Sequence, residues 1–424
     1  MREVPFSLLF ATLFCVAAEA QTQEPMAEVL PEELTLEKAL EILREQNPLL
    51  SSEREREAAA AGELEQARKL PNPALSLETE SFDAIQGDPA ARELFLSVQQ
   101  PILLGGKRAK RTELAGALLR AARNDVRAFE RELSFRLKAT YASLVRAQAD
   151  LALSNEILED FDQVVRLSRI RYERGEMAGG DLRRIETERL RFLEDQVAAE
   201  ILLKSARAEL LGLLGMPEYE GAFRASAPPR FEGEIGDIET LAAEAAESRP
   251  EVMAQLERRE AARRDVDLQK SLGVPDIFPF VGYQQQRDPG LDTRTSFVNF
   301  GLSVGLPLFD RNQGAVSRAR AISRREEELE RAIRYQVTVE VRQAREAYVQ
   351  QRKRLTFFED TYLRTARQAR DIAEAAYRMG GETLINFLDA NRVYRETLQA
   401  YNRALRDASV ARFALERALG KDLS

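Results

Sequence analysis

The placement of proline constrains this chain more than any other feature. All 16 prolines lie outside two long stretches, 102–216 and 308–424. Proline disrupts a helix interior because it has no N–H group to donate and because its ring clashes with the preceding turn. The two proline-free stretches are therefore predicted to form very long helical arms.

The two arms belong to two copies of a duplicated sequence unit. Gln100-Pro101 before the first arm corresponds to Leu306-Pro307 before the second, Tyr172-x-x-Gly175 corresponds to Tyr377-x-x-Gly380, and Leu214-Gly215 corresponds to Leu419-Gly420. The offsets of all such landmarks lie between 202 and 206 residues. A period this long indicates the tandem duplication of a whole unit, not a solenoid of short repeats. Chance spacing of common residues is the alternative.

The duplication predicts the domain organisation. Each repeat is expected to hold two short helices, a β-hairpin and a long helical hairpin, with a proline- and glycine-rich connector between the repeats. The predicted segments are a signal peptide at 1–20, a first repeat at 21–216 with its β-hairpin at about 74–103 and helical hairpin at about 106–214, a connector at 217–238, and a second repeat at 239–424 with its β-hairpin at about 277–309 and helical hairpin at about 312–419.

The N-terminus has the pattern of a secretory signal peptide. The apolar run from Pro5 to Ala18 is too short to span a bilayer as a helix, and Ala18-Glu19-Ala20 is a small-x-small cleavage site. The only cysteine, Cys15, lies inside this leader, and the chain has no histidine. The exported chain is thus expected to fold without disulfides and without soft metal ligands. Its net charge of −8 argues against a nucleic-acid partner.

The segment before each long arm changes from helical to alternating periodicity. The clearest case is Val298–Leu306, where apolar residues alternate with small or polar ones. Strands of about 9–11 residues with an apolar outer face are typical of outer-membrane barrels. A soluble sheet with one face on a core is the alternative. The membrane interpretation predicts a lipid-facing set: Val298, Phe300, Leu302, Val304 and Leu306.

Four strands cannot close a barrel alone. An open sheet edge in lipid leaves backbone donors and acceptors unpaired at several kcal/mol each. Several copies must therefore pool their strands, and three copies supply twelve strands, enough for an aqueous lumen. The predicted fold class is mainly α with a small β part. The duplicated unit has long coiled helical hairpins plus two strands per repeat, and the strand count predicts a cyclic homo-oligomer with a through-channel.

These residues resemble a known family. The chain looks like the TolC-type outer-membrane efflux proteins, most of all their cobalt–zinc–cadmium (heavy-metal) branch. The resemblance lies in Pro71-Asn72-Pro73, the segment Gln100–Arg108, the segment Gly301–Asp310, and Tyr377-x-x-Gly380 followed by Asn386–Ala390. The resemblance implies a homotrimer that shares a twelve-stranded β-barrel in the outer membrane, with a periplasmic extension in which an α-helical tunnel continues the barrel. It also implies docking onto a periplasmic adaptor protein and an inner-membrane efflux pump that supplies the energy.

The resemblance further implies a gate at the periplasmic end of the tunnel. The family's latch tyrosine falls on Tyr377, its ring acids on Asn386 and Asp389, and its latch aspartate on Asp181, whereas the latch arginine is replaced by Glu382. One acidic ring is therefore neutral, and Glu382 is expected to repel Asp181 and weaken the latch. The alternatives are an ordinary helix carboxylate for Asp389 and a plain helix–helix hydrogen bond between Tyr377 and Asp181.

Glycine-rich turns end the two helical hairpins. We call Arg174–Asp181 the first tip and Met379–Leu384 the second tip. Both are expected to dock the adaptor, with Gly175, Gly179, Gly180, Gly380 and Gly381 giving the partner close access. The alternative is that these glycines only turn the chain.

The composition offers little for catalysis. With no histidine, no cysteine after the leader and no phosphate-binding loop, no catalytic residue, metal site or cofactor is predicted, and the chain is expected not to be an enzyme. The leading function is an outer-membrane channel of a tripartite efflux system, a passive exit duct that accepts drugs or heavy-metal cations. The alternative is a periplasmic coiled-coil adaptor or scaffold without a barrel.

Overall fold

The computed structural model describes residues 30–81, 92–227, 235–288 and 293–423. The predicted signal peptide with Cys15, part of the connector and the tips of both β-hairpins lie outside these residues. Helices dominate the described chain, and none of them is long and apolar enough to cross a membrane.

The first repeat begins with a short strand and ends with a helical hairpin. Its elements, in chain order, are β1 (Glu33–Leu34), α1 (Leu36–Gln46), α2 (Pro48–Arg68), β2 (Ala74–Ser81), β3 (Arg92–Gln99), α3 (Lys107–Glu173) and α4 (Gly179–Leu214). Asn47 separates α1 from α2, and its side chain accepts hydrogen bonds from the N–H groups of Leu49 and Leu50. Helix α3 runs for 67 residues, which is about 100 Å at 1.5 Å per residue.

The second repeat follows the same order. Its elements are β4 (Arg224–Ala225) at its entrance, then α5 (Ile238–Ser248), α6 (Pro250–Leu272), β5 (Ile277–Asp288), β6 (Thr293–Val304), α7 (Gln313–Phe357), a π-helical segment (Phe358–Tyr362), α8 (Leu363–Arg378) and α9 (Leu384–Leu419). The long arm of this repeat is therefore interrupted where α3 is continuous. Strand β4 pairs in parallel with β1 and so joins the connector to the start of the chain.

The remaining four strands form one antiparallel sheet in the order β2-β3-β5-β6. Strand β3 of the first repeat pairs with β5 of the second, with Phe95 opposite Gln284 and Val98 opposite Val281. Pro279 lies near the start of β5, where its carbonyl oxygen accepts a 3.1 Å hydrogen bond from the N–H of Gln100, and its missing N–H leaves this pair with one hydrogen bond instead of two. The two outermost strands, β2 and β6, each keep one edge without a partner within this sheet.

Three buried clusters hold the helices together. The largest surrounds Tyr141 of α3, whose hydroxyl lies 2.6 Å from the carbonyl oxygen of Leu34, and it joins α1, α3 and α4. The second joins α5, α7 and α9 around Val341. The third lies towards the two tips, where Phe161 and Ile185 of the first repeat pack with Phe387 of the second. The two hairpins thus share a core near their ends.

A buried ion pair joins the repeats where the sheet meets the helices. Lys107, the first residue of α3, is almost fully buried, and its Nζ donates 2.7 Å hydrogen bonds to Asp276 Oδ1 and to the carbonyl oxygen of Val274. Asp276 also accepts a hydrogen bond from the N–H of Leu104. The Gly105-Gly106-Lys107 motif therefore fixes the start of the first arm against the strand entry of the second repeat.

Candidate gate, docking tips and sheet face

The two tips are built alike. Helices α3 and α8 end in glycines with left-handed backbone, Gly175 at φ 73° and Gly380 at φ 78°. Three residues after each of them comes an extended residue that precedes the next helix, Ala178 before α4 and Thr383 before α9. The left-handed conformation favours glycine because it has no Cβ. The sequence motif Tyr-x-x-Gly therefore marks the same turn twice.

Tyr377 lies in the shared core, not at a surface latch. Only 7% of the residue is exposed, and its ring stacks on Phe387 with centroids 4.9 Å apart. Its hydroxyl has no hydrogen-bond partner among the described residues. The expected hydrogen bond between Tyr377 and Asp181 is therefore not formed, and Asp181 instead lies 3.9 Å from Arg184 on its own helix.

Glu382 and Asn386 interact with each other. Asn386 donates a 2.7 Å hydrogen bond to Glu382 Oε1, which also accepts one from the N–H of Thr383. Both hydrogen bonds hold the pKa of Glu382 below its ordinary value, and the bond from the backbone N–H of Thr383 contributes more. The carboxylate at the latch-arginine position is thus ionised and satisfied locally, with Asp181 not among its partners.

Asp389 is paired with a cationic side chain. Arg392 donates a 2.6 Å hydrogen bond to its carboxylate from one turn further along α9. Arg392 also lies 3.6 Å from Glu396. An acid at this position therefore belongs to a short chain of alternating charges on an exposed helix face, where such pairs stabilise little.

Three arginines that the sequence analysis missed connect the two hairpins. Arg171 donates a 2.7 Å hydrogen bond to the carbonyl oxygen of Arg378 and lies over the Tyr377 ring. Arg370 of α8 lies 3.7 Å from Asp160 of α3. Arg395 of α9 lies 2.7 Å from Asp195 of α4, with its guanidinium over the ring of Phe192. Among the 62 Lys and Arg residues, nothing in the sequence singled these three out.

The sheet presents an apolar outer face. Phe300 is 80% exposed, and Val298, Leu302, Val304 and Leu306 are exposed with it. Its register neighbours continue the face across the sheet, since Phe300 is opposite Val281 and Val281 is opposite Val98. On the other face, Asn299 donates to Gln284 and Gln284 donates to Glu93, each at 3.0 Å. One face is thus mainly apolar, and the other, the inner face, combines hydrogen-bonded polar side chains with aromatic rings such as that of Phe280.

No ready-made metal site accompanies these features. In residues 30–81, 92–227, 235–288 and 293–423, no group of three or more acidic side chains lies close enough together to hold a metal ion.

Comparison with known proteins identifies the family. The model of the outer membrane efflux protein family matches residues 39–216 and 241–421, one match in each repeat. The chain belongs to this family. The predictions of family, fold class, outer-membrane location and channel function in a tripartite efflux system are confirmed, and the alternative of an adaptor without a barrel is wrong. The family is a transport family and not an enzyme class.

Individual relatives agree with the family assignment. The chain is 27% identical to the cobalt-zinc-cadmium resistance protein CzcC of Cupriavidus metallidurans over 443 aligned residues, covering 99% of each chain. The structure resembles the open MtrE outer membrane channel of Neisseria gonorrhoeae with a TM-score of 0.78 at 18% identity, covering 92% of this chain and 89% of that one. It resembles CusC with a TM-score of 0.77 at 18% identity, covering 91% and 92%.

Proposed function

We propose that three copies of this chain form a passive exit duct from the periplasm to the exterior, and that they dock onto a periplasmic adaptor protein and an inner-membrane pump. The observation that supports the trimer is the four-stranded sheet, which has one mainly apolar exposed face and two edges without a partner within the sheet. Three such sheets close into a twelve-stranded barrel that satisfies every edge in lipid. The pump supplies the energy, and the chain catalyses no reaction.

The duct is tested by electron microscopy of the protein extracted in detergent. Three-fold rods well over about 100 Å long, the length expected for α3 alone, with a central channel, are the expected result. Compact monomers would contradict both the shared barrel and the proposed duct.

The gate proposal concerns the second tip. Because Glu382 occupies the latch-arginine position and Asp389 already has Arg392 as its partner, we expect a gate that leaks more than one closed by a basic latch. Glu382→Arg is expected to lower the leak conductance of single channels in planar bilayers, and Glu382→Gln serves as the control for lost charge alone. An unchanged conductance for the arginine variant would count against a gate at this position.

The adaptor proposal concerns both tips. A side chain at Gly180 would meet no other atom within 4 Å, so a bulky residue there fits the fold and projects into the space that a docking partner needs. Gly180→Tyr is therefore expected to reduce export in cells while the purified channel conducts normally. Normal export by this variant would show that the first tip only turns the chain.

The cargo proposal rests on the relatives. A cobalt-zinc-cadmium resistance protein matches the chain over nearly its whole length, and nickel and cobalt resistance proteins match part of it. Deletion is expected to sensitise the host to cobalt, zinc or cadmium salts and to leave its resistance to drugs unchanged. Sensitivity to drugs alone would reverse the assignment.

A further inference from the structure

The apolar outer face of the sheet is slightly too short for the layer it has to match. Its positions from Val298 to Leu306 cover about 27 Å along the strand at about 3.4 Å per residue. Strands of membrane barrels tilt by about 40°, which leaves about 21 Å along the membrane normal, whereas the apolar band of such barrels is about 25 Å tall. The hydrocarbon layer therefore extends past this face at one end or both.

The end of the face that points away from the helices is polar. Ser296 follows Val298 on the same face, and its hydroxyl lies 2.7 Å from the hydroxyl of Tyr283. A tyrosine with this surrounding is typical of a membrane interface. At the helix end the apolar surface continues instead, since Leu308 is 65% and Phe309 92% exposed. The missing height is therefore supplied where the strand passes into the second arm.

Both arms begin with positive charge just beyond this apolar edge. The sequence holds four basic and no acidic residues from Leu94 to Thr112, and five arginines and no acidic residue from Arg311 to Arg325. Asp310, directly before the second range, accepts a 2.8 Å hydrogen bond from the N–H of Asn312. Neither α3 nor α7 has an acid in its first turn. Cations there oppose the helix dipole, so helix stability does not account for them.

The two arm starts lie against one turn of the chain. A Cβ at Gly105 would lie 3.2 Å from the side chain of Val274, and a Cβ at Gly273 would lie 2.7 Å from the carbonyl oxygen of Arg311. Arg108 and Arg311, which we call the arm-start arginines, are both exposed. Neither side chain has a hydrogen-bond or ion-pair partner among the described residues. Two open cations thus border the apolar face at the same end.

We propose that the arm-start arginines bind the phosphate groups of anionic phospholipids in the periplasmic leaflet of the outer membrane, with the Phe309 ring in the interface of that leaflet. The inference rests on the proposed function, in which the sheet lies in lipid and the arms extend into the periplasm. Lipid phosphates lie just outside the hydrocarbon layer, where the apolar face ends, and guanidinium groups bind phosphate with two parallel hydrogen bonds.

The arrangement sets the depth of the channel in the membrane. Moving the barrel outward would draw the arm-start arginines into hydrocarbon, and moving it towards the periplasm would expose Phe309 and Leu308 to water. A lipid whose phosphate is not balanced by a headgroup cation is the better partner for two arginines. Phosphatidylglycerol is therefore expected to bind ahead of phosphatidylcholine.

Native mass spectrometry of the delipidated full-length channel tests this preference. The protein is mixed with equal amounts of phosphatidylglycerol and phosphatidylcholine that have the same acyl chains. The wild type is expected to retain phosphatidylglycerol at least about fivefold more, since each cation near an anionic lipid surface contributes a factor of about five. Arg108→Gln with Arg311→Gln is expected to lose the preference, and the corresponding double lysine variant, which keeps the charge, is expected to retain it.

Two further variants separate position and chemistry. Arg364→Gln with Arg367→Gln removes the same charge from exposed positions of α8, away from the sheet, and is expected to keep the wild-type preference. Phe309→Ser is expected to reduce the retention of both lipids alike, because the ring carries no charge. Circular dichroism shows whether each variant remains helical.

The outcomes distinguish this inference from the duct itself. A helical, trimeric glutamine variant of the arm-start arginines that keeps the preference would overturn the proposal, and so would a wild-type trimer that retains both lipids equally. In both cases normal conductance of the wild type in planar bilayers leaves the duct intact. A monomeric wild-type protein that does not conduct would instead remove the duct, and this inference with it.

Discussion

The long arms of the two repeats have nearly the same length and differ in continuity and surface. Helix α3 is one helix of 67 residues, whereas the second arm is broken by the π-helical segment Phe358–Tyr362. Helices α4 and α9 have equal lengths, yet Leu190 and Val197 of α4 are replaced by Arg395 and Asn402 in α9. Duplication has therefore kept the dimensions of the unit, while the surfaces that meet other elements have diverged.

The strongest test of this asymmetry concerns the starts of the arms. Lys107 is buried and paired with Asp276, whereas Gln313, the first residue of α7, is exposed. Lys107→Met leaves the Asp276 carboxylate without its cation in a mostly buried place, which is expected to cost about 3 kcal/mol. Thermal denaturation in detergent measures the loss, and Gln313→Met should be nearly neutral. Equal losses of stability at both positions would show that the starts of the two arms contribute equally to stability.

The next test concerns the inner face of the sheet. A Cβ at Gly301 would lie 2.2 Å from two ring atoms of Phe280, so the ring occupies the place of a side chain. Gly301→Val is expected to displace the ring and destabilise the sheet by about 2 kcal/mol. Ser76→Val, on the same face of β2, is the control. The heat resistance of the assembled protein on gels measures the difference between the two variants. Unchanged heat resistance of the Gly301→Val variant would mean that the Phe280 ring moves aside without cost.

An effect of similar or smaller size is expected at the residues that precede α3 and α7. Both have left-handed backbone, Gly106 at φ 71° and Asn312 at φ 63°. Asn312 also donates hydrogen bonds to the carbonyl oxygen and side chain of Gln269. Asn312→Ala is therefore expected to lose about 2 kcal/mol, from strain and lost hydrogen bonds together, and Gly106→Ala about 1 kcal/mol from strain alone. Chemical denaturation that ranks the two in the opposite order would contradict this account.

The smallest effect concerns the end of the second repeat. Lys138 donates a hydrogen bond to Asp422, which holds the pKa of this carboxyl below its ordinary value. The resulting stabilisation is complete above the ordinary pKa of aspartate and is lost as the pH falls through the lowered one. Because Asp422 is largely exposed, Asp422→Asn is expected to cost under about 1 kcal/mol at neutral pH. The two proteins should converge in acid, and a difference that grows in acid would refute the assignment.

The fold was most predictable from the sequence where a residue type has a strict consequence for the backbone. The positions of proline gave the long helices, and Gly175 and Gly380 gave the turns, because these residues restrict or relax the backbone wherever they occur. Alternation in Val298–Leu306 likewise gave a strand with one apolar face, since side chains alternate across a strand whatever surrounds it.

The contacts of the predicted gate residues were beyond prediction from sequence for the opposite reason. Within the chain, the ring of Tyr377 is buried on Phe387 and its hydroxyl makes no hydrogen bond to Asp181. Arg171, Arg370 and Arg395 are among the arginines that connect the hairpins. Which of many arginines meets an acid depends on how two hairpins lie side by side. That relation spans about 200 residues of chain and has no local pattern.

The sequence by itself determined the duplicated plan, the long helices, the strands and the turns, because each follows from short-range rules of backbone geometry and side-chain periodicity. Only the tertiary structure decided the pairing of β3 with β5, the burial of Lys107 against Asp276, and the packing of Phe387 against Phe161 and Ile185 of the first repeat. These depend on long-range packing, in which burial and partner choice are set by elements far apart in the chain.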